Sequence, residues 1–132
     1  MTTELTLLAW TLVLALVQIL LPAAISTRRV GLTYKVGPRD MPDPDSGAVT
    51  SRLRRAQANL FETLPLFAAG ILIAHIADRN GVLTEAGAYL YFLGRLAYLP
   101  LYAAGVPYLR TVVWMVAILG LVLVLLALLM PA

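Results

Sequence analysis

The stretch RAQANLFETLPLFAAGILIAHI, residues 55–76, opens with polar side chains and continues as an apolar run. Arg55, Asn59 and Glu62 recur at i, i+4 and i+7, a spacing that places all three on one face of a helix. Ionisable groups at the mouth of a membrane segment are costly to bury, so they are typical of a binding site. The stretch therefore predicts a membrane-spanning helix whose entrance binds a charged or amphoteric small molecule.

The composition of the whole chain extends this prediction. The 132 residues are 61% hydrophobic and only 13% charged, which leaves too few polar groups for an ordinary soluble surface. A hydrocarbon core of about 30 Å is crossed by roughly 20 helical residues. Four apolar stretches approach or meet that length: residues 5–26, 53–76, 84–104 and 109–130. The sequence thus predicts an all-α integral membrane four-helix bundle in up-down order, one domain over residues 1–132 with a polar loop at 27–52.

Basic residues are distributed unevenly between the loops. Seven of them lie between the first two spans or at the mouth of the second: Arg28, Arg29, Lys35, Arg39, Arg52, Arg54 and Arg55. Only Arg79 is basic between the second and third spans, so the positive-inside rule places the first loop in the cytoplasm and both termini on the opposite side. Membrane lipid headgroups are natural partners of such a loop. Nucleic acid is a poor partner, because this charge lies against a membrane.

The third span carries a second constellation. Tyr91, Arg95, Tyr98 and Tyr102 occur at i, i+4, i+7 and i+11 and share one stripe of the helix. A tyrosine stripe alone is typical of an interfacial belt or of packing. Arg95, however, lies about ten residues from either end of the span and must face a partner or a water-filled cavity. Its nearest candidate counter-charge is Glu62, although the sequence leaves the pairing open.

The lack of cysteine and the single histidine limit the catalytic groups and metal ligands that the chain can supply. The chain has no cysteine, so it forms no disulfide and any thiol chemistry must use an external thiol. Its single histidine, His75, cannot form a histidine cluster, and we predict no metal site.

Glycines and a tryptophan give further local predictions. Gly81 suits a left-handed position at the end of the second helix. The segment Gly105-Val106-Pro107 predicts a tight connection between the third and fourth helices. Gly87 and Gly94, seven residues apart, indicate close helix packing. Trp114 is typical of an interfacial anchor near the start of the fourth helix.

Together these motifs resemble a known family. Arg55-Ala56-Gln57-Ala58-Asn59 with Glu62, followed by Arg95, Tyr98 and Tyr102, is similar to the membrane-associated proteins in eicosanoid and glutathione metabolism, the MAPEG superfamily. The resemblance covers essentially the whole chain and includes its length and its four spans. The chain looks like a bacterial member, which implies a bacterial inner membrane.

The resemblance implies a homotrimer that binds glutathione between adjacent subunits near the cytoplasmic face. Arg110, at the start of the fourth helix, would be the catalytic residue, because a cation near sulfur lowers the thiol pKa and the thiolate is the nucleophile. The choice between Arg28 and Arg29 as a ligand stays open. Carried over by position, the residues that would bind glutathione are Arg28, Arg55, Asn59, Glu62, Arg95, Tyr98 and Tyr102.

The implied reaction is glutathione conjugation or peroxide reduction. A lipophilic electrophile or lipid hydroperoxide would reach the bound thiolate from the bilayer, with proximity supplying the catalysis. The alternative is a non-catalytic MAPEG-like protein that binds lipid or a partner protein. A small channel or transporter is a weaker third hypothesis, because the chain shows no inverted repeats and no paired helix interruptions.

Overall fold

The computed structural model describes residues 1–38 and 47–131, and of Tyr34 only the backbone. In these residues it contains four long helices and one short one. The four long helices confirm the predicted all-α bundle, and each predicted span ends within five residues of a helix end. The helices are α1 (Thr3–Val30), α2 (Leu32–Val36), α3 (Ala48–Ile76), α4 (Val82–Ala103) and α5 (Pro107–Leu129).

The predicted loop at 27–52 is shorter than the sequence suggested, because helices extend into it from both sides. The Thr27 hydroxyl donates to the Ala23 carbonyl at 2.8 Å, so this polar residue continues the helix instead of leaving it. Gly31 then ends α1 with a φ of 91°, a left-handed conformation that glycine adopts at little cost. The turn-rich middle of the predicted loop, residues 39–46, lies outside the described residues.

Three of the helices are long and apolar enough to cross a membrane, namely α1, α3 and α5. Helix α4 is less apolar and does not meet the same criterion. Its sequence contains the polar residues Tyr91, Arg95 and Tyr98, which lower its hydropathy. All three are buried inside the bundle. The third predicted span, which corresponds to α4, thus keeps these side chains away from the surroundings.

Helices α3 and α4 form the centre of the bundle. Helix α4 packs most extensively against α5 and also meets α1 and α3, whereas α1 and α5 do not meet within the described residues. The rings of Phe67 and Tyr91 stack between α3 and α4, with centroids 4.1 Å apart. Since lipid tails are as apolar as the side chains they would replace, such close packing is what favours association in a membrane.

Glycines allow the backbones of α4 and α5 to touch. A Cβ atom on Gly87 would lie 2.5 Å from the Gly120 carbonyl oxygen, and one on Gly120 would lie 2.6 Å from the Tyr91 nitrogen. A Cβ atom on Gly94 would lie 3.0 Å from the Ala117 Cβ atom. The close packing predicted for Gly87 and Gly94 is confirmed, and α5 supplies its contact surface.

A buried carboxylate joins the starts of α1 and α4. The Thr84 hydroxyl donates to Glu4 Oε2 at 2.7 Å, and the Gly81 N–H donates to the same Thr84 oxygen at 2.8 Å. Glu4 is only 5% exposed. This chain of hydrogen bonds satisfies a helix start and fixes the register of α1 on α4.

The prediction for Gly81 was wrong. Gly81 is the N-cap of α4, with an extended φ of −173°. The left-handed residue after α3 is Asp78, with a φ of 57°, which an aspartate tolerates because its short polar side chain can hydrogen-bond locally. The predicted tight connection is confirmed, because α4 and α5 are joined by three residues and Gly105 has a φ of 75°.

Replacement of Gly120 by alanine tests the contact between α4 and α5. We expect Gly120→Ala to lower the free energy of unfolding by about 1–3 kcal/mol, because the added methyl group would overlap the backbone of α4. Thermal unfolding in detergent, followed by circular dichroism, measures the change. Gly81→Ala is the control, since a Cβ atom there meets nothing within 4 Å. Equal losses in the two variants would contradict the close-contact explanation.

Candidate functional site

A polar cleft opens between α3, α4 and α5 at the end of the bundle where α3 and α5 begin and α4 ends. We call this the basic end, because it carries Arg28, Arg55 and Arg110. The cleft has a volume of about 270 Å³, just below the range of roughly 300–1,000 Å³ that is usual for small-molecule sites. Its lining residues are Asn59, Tyr98, Tyr102, Arg110, Thr111 and Trp114.

Two arginines and two tyrosines form a continuous stack beside this cleft. The Arg95 Cζ atom lies 4.4 Å from the ring centroid of Tyr98, and the Arg110 Cζ atom lies 4.5 Å from that of Tyr102. The two rings are 5.3 Å apart and tilted by 52°. Each cation–π contact contributes about 0.5–2 kcal/mol, more where it is desolvated. This cation–π ladder (Arg95, Tyr98, Tyr102 and Arg110) runs from the bundle interior to the cleft.

The guanidinium of Arg95 is buried behind the cleft wall. Arg95 is 1% exposed, and its Nη1 donates to Asn59 Oδ1 at 2.7 Å. Glu62, the candidate counter-charge, is exposed, and α3 turns Asn59 toward α4 in its place. Among the residues described, Nε and Nη2 of Arg95 have no hydrogen-bond partner. The buried guanidinium therefore has one amide as its hydrogen-bond partner and one ring face as its cation–π contact, while Glu62 attracts it from a longer distance.

Arg55 and Tyr102 connect α3 to α4 at the mouth of the cleft. Arg55 Nε donates to the Tyr102 hydroxyl at 3.2 Å. Because that hydroxyl oxygen accepts a hydrogen bond here, its own proton stays available to a ligand. Arg55 is exposed, so its remaining donors are also accessible.

The structure brings together part of the predicted site. Asn59, Tyr98, Tyr102 and Arg110 line the cleft, and Arg55 contacts its rim. Arg95 stands behind the wall and donates a hydrogen bond to the lining residue Asn59. Arg28 and Glu62 are exposed and do not line the cleft of their own chain.

Two lining residues were not anticipated as site residues. Trp114, predicted as an interfacial anchor, lines the cleft together with Thr111. The sequence could have indicated Trp114, because Arg110 and Trp114 are spaced at i and i+4 and so share one face of α5. The Thr111 hydroxyl donates to the Pro107 carbonyl at 3.1 Å, so it offers a ligand its lone pairs.

The electrostatic character of the cleft is positive. Among the residues that the structure describes, Arg110 is the one charged side chain in the lining. In the part of the chain that the structure describes, no group of three or more His, Cys, Asp or Glu side chains is placed to bind a metal. The cleft therefore suits an anionic organic ligand that accepts hydrogen bonds.

Comparison with known proteins now identifies the family. The sequence profile of the MAPEG family matches residues 7–130, a segment that contains every residue of the cleft. The chain belongs to the MAPEG family. A search of curated proteins and a search of solved structures gave no significant match. Membership of the MAPEG family, together with three helices apolar enough to span a bilayer, identifies an integral membrane protein.

Replacement of Arg95 tests how its buried charge contributes to stability. We expect Arg95→Met to leave the free energy of unfolding unchanged or to raise it by as much as about 4 kcal/mol, because an apolar side chain removes an incompletely paired buried cation. Thermal unfolding in detergent measures this change.

Tyr91→Phe is the matched control on the same face of α4. It removes a hydroxyl that is hydrogen-bonded to Thr63 at 2.8 Å, and we expect a loss of about 1 kcal/mol. A clear drop in stability for Arg95→Met would contradict this expectation and show that the hydrogen bond to Asn59 and the contact with the Tyr98 ring outweigh the cost of burying the charge.

Proposed function

We propose that the protein is a glutathione-dependent membrane transferase or peroxidase. The observation that carries this proposal is the position of Arg110, whose guanidinium lies over the Tyr102 ring in a cleft that no carboxylate of the described residues lines. A cation in this position lowers the pKa of a nearby thiol and favours the nucleophilic thiolate. Since the chain has no cysteine, the thiol belongs to the ligand. Glutathione transferases and peroxidases are among the members of the MAPEG family.

The side chains around the cleft match the groups of glutathione, which has two carboxylates, an ammonium group and two peptide bonds. Asn59, Tyr98 and Tyr102 offer donors for carboxylate and carbonyl oxygens. Arg55 at the rim offers a guanidinium for a carboxylate. Glu62 is the candidate partner of the ammonium group.

An assembly of several copies accounts for the predicted ligands that do not line the cleft. Arg28 and Glu62 are exposed on their own chain. In a homotrimer, these side chains of one subunit would complete the cleft of the next. We therefore propose a homotrimer with glutathione bound between adjacent subunits.

Both proposed reactions begin with the thiolate. With a lipophilic electrophile, the thiolate sulfur forms a bond to the electrophilic carbon and the leaving group departs with the electron pair. With a lipid hydroperoxide, the sulfur attacks the terminal peroxide oxygen, the O–O bond breaks, and the alcohol leaves after protonation. The resulting sulfenic acid reacts with a second glutathione to give the disulfide and water. The chain's contribution is to orient the thiolate beside the membrane-dissolved substrate.

The proposed orientation follows from charge. The basic end would face the cytoplasm of a bacterium, where glutathione is available, and both termini would lie on the other side of the inner membrane. The apolar partner would reach the cleft laterally from the bilayer.

One observation favours the alternative of lipid binding without catalysis. A second cavity of about 240 Å³ lies between α1 and α4, and its lining is apolar. Leu14, Phe92 and Leu96 are among its lining residues. Such a groove suits the acyl chain of a bound lipid, which would need none of the polar side chains of the cleft.

Glutathione binding is the first test of the proposed function. Calorimetry on the detergent-purified protein should detect glutathione binding, and Arg55→Ala or Glu62→Ala should abolish it, because each removes a charged partner of the ligand. Arg79→Ala is the control, since Arg79 lies at the opposite end of the bundle, where its Nη1 donates to the Met130 carbonyl. No binding of millimolar glutathione by the wild type would refute the proposal and favour the lipid alternative.

Arg110→Ala separates binding from chemistry. We expect this variant to bind glutathione, yet to lose the ultraviolet absorbance of the bound thiolate and its turnover with a lipophilic electrophile. In the wild type the bound thiol should titrate below about 8.5, the pKa of a free thiol, so the thiolate persists at neutral pH and is lost as the pH falls. In Arg110→Ala the titration should return toward that value. An unchanged thiolate titration would exclude Arg110 from this role.

A further inference from the structure

Arg95, behind the cleft wall, is hydrogen-bonded to Asn59, a residue of the wall. Asn59 lines the cleft on one side and accepts a hydrogen bond from Arg95 on the other, at 2.7 Å. Arg95 does not line the cleft and is 1% exposed. The contact therefore joins a ligand-facing amide to a fully enclosed guanidinium.

The chemistry of this contact fixes the orientation of the amide. A guanidinium carries five N–H donors and no acceptor. The Asn59 atom that meets it must therefore be the carbonyl oxygen Oδ1, because the NH₂ group would place donor against donor. The two ends of an amide point in different directions, so the NH₂ group is left on the side of the cleft.

The guanidinium is well suited to fix this orientation. Its Cζ atom lies 4.4 Å from the centroid of the Tyr98 ring, which limits its movement on one face. Its Nε and Nη2 have no hydrogen-bond partner among the described residues, so the bond to Asn59 is the one that the buried charge makes. A hydrogen bond from a charged donor in a water-poor interior is about twice as strong as a neutral one.

We infer that Arg95 is a positioning residue that holds the Asn59 amide with its NH₂ group toward the cleft. The NH₂ group of Asn59 thereby donates a hydrogen bond to an oxygen of the ligand, in a carboxylate or a peptide carbonyl. An ammonium group has no acceptor and is disfavoured at the same point. The inference deepens the proposed function and rests on it for the identity of the ligand. The orientation of the amide itself can be measured without any ligand.

The first experiment reports the amide directly. The chain contains only two asparagines, Asn59 and the exposed Asn80, so selective ¹⁵N labelling of asparagine gives two side-chain NH₂ signals in detergent. In the wild type, the Asn59 signals should differ from those of Asn80. Arg95→Met should move them toward the Asn80 position, whereas Arg95→Lys, which keeps a donor, should retain most of the difference. Unchanged Asn59 signals in Arg95→Met would overturn the inference.

The second experiment measures the consequence for binding. Arg95→Met should weaken glutathione binding by about tenfold, and Arg95→Lys by less than about threefold. Asn59→Ala should weaken binding by a similar factor of about ten, and the double variant Asn59→Ala/Arg95→Met should be no weaker than Asn59→Ala alone. If the double variant loses glutathione affinity by the product of the two single losses, Arg95 acts independently of Asn59 and the inference is overturned.

The two experiments separate this inference from the proposed function. If wild-type protein binds no glutathione, the proposed function fails, while the labelled amide still reports whether Arg95 orients Asn59. If glutathione binds and the Asn59 signals do not respond to Arg95→Met, the proposed function stands and the positioning role is wrong. A purely structural role for Arg95 would alter the unfolding temperature in Arg95→Met and leave both the Asn59 signals and glutathione binding unchanged.

Discussion

A cation in a membrane-embedded bundle must be turned away from lipid, and the arrangement of this protein follows from the burial of Arg95. Facing hydrocarbon, the guanidinium would cost at least a few kcal/mol, so α4 directs it to the interior. There it contacts the amide of Asn59 and the ring of Tyr98. This choice brings the polar face of α3 against the tyrosine stripe of α4. Asn59 thus meets the polar residues of α4 within the protein, whereas Arg55 and Glu62 on the same face of α3 stay exposed.

The contact between α4 and α5 completes the site. Because Gly87 and Gly120 allow the two backbones to touch, α5 lies close enough to α4 for Arg110 to reach the ring of Tyr102. Both residues stand near the short connection that joins the helices. The same geometry extends the cation–π ladder from a buried arginine to one that borders the cleft. The contact at the glycines and the placement of Arg110 over Tyr102 therefore depend on the same pair of helices, α4 and α5.

The chemistry proposed for this cleft uses few functional groups. The chain has no cysteine, and within residues 1–38 and 47–131 the one charged residue in the lining is Arg110. Such a site can bind and orient an external thiol and shift its ionisation, while the thiol supplies the nucleophile. The aromatic rings and the amide have the complementary task of holding the ligand in place. Arg95 contributes from behind the wall through the orientation of the Asn59 amide.

The sequence by itself determined the membrane class, the four long helices and the residues that share a face on each helix, because composition and helical period are local properties. It therefore indicated Asn59 on α3 and the stripe of Tyr98 and Tyr102 on α4, and the glycine pair that packs closely. It did not determine that Arg95 meets Asn59 and not Glu62, or that Trp114 faces the cleft. Those contacts depend on how each helix is rotated and tilted against its neighbours, and that is decided by the summed packing of all the helices in the tertiary structure.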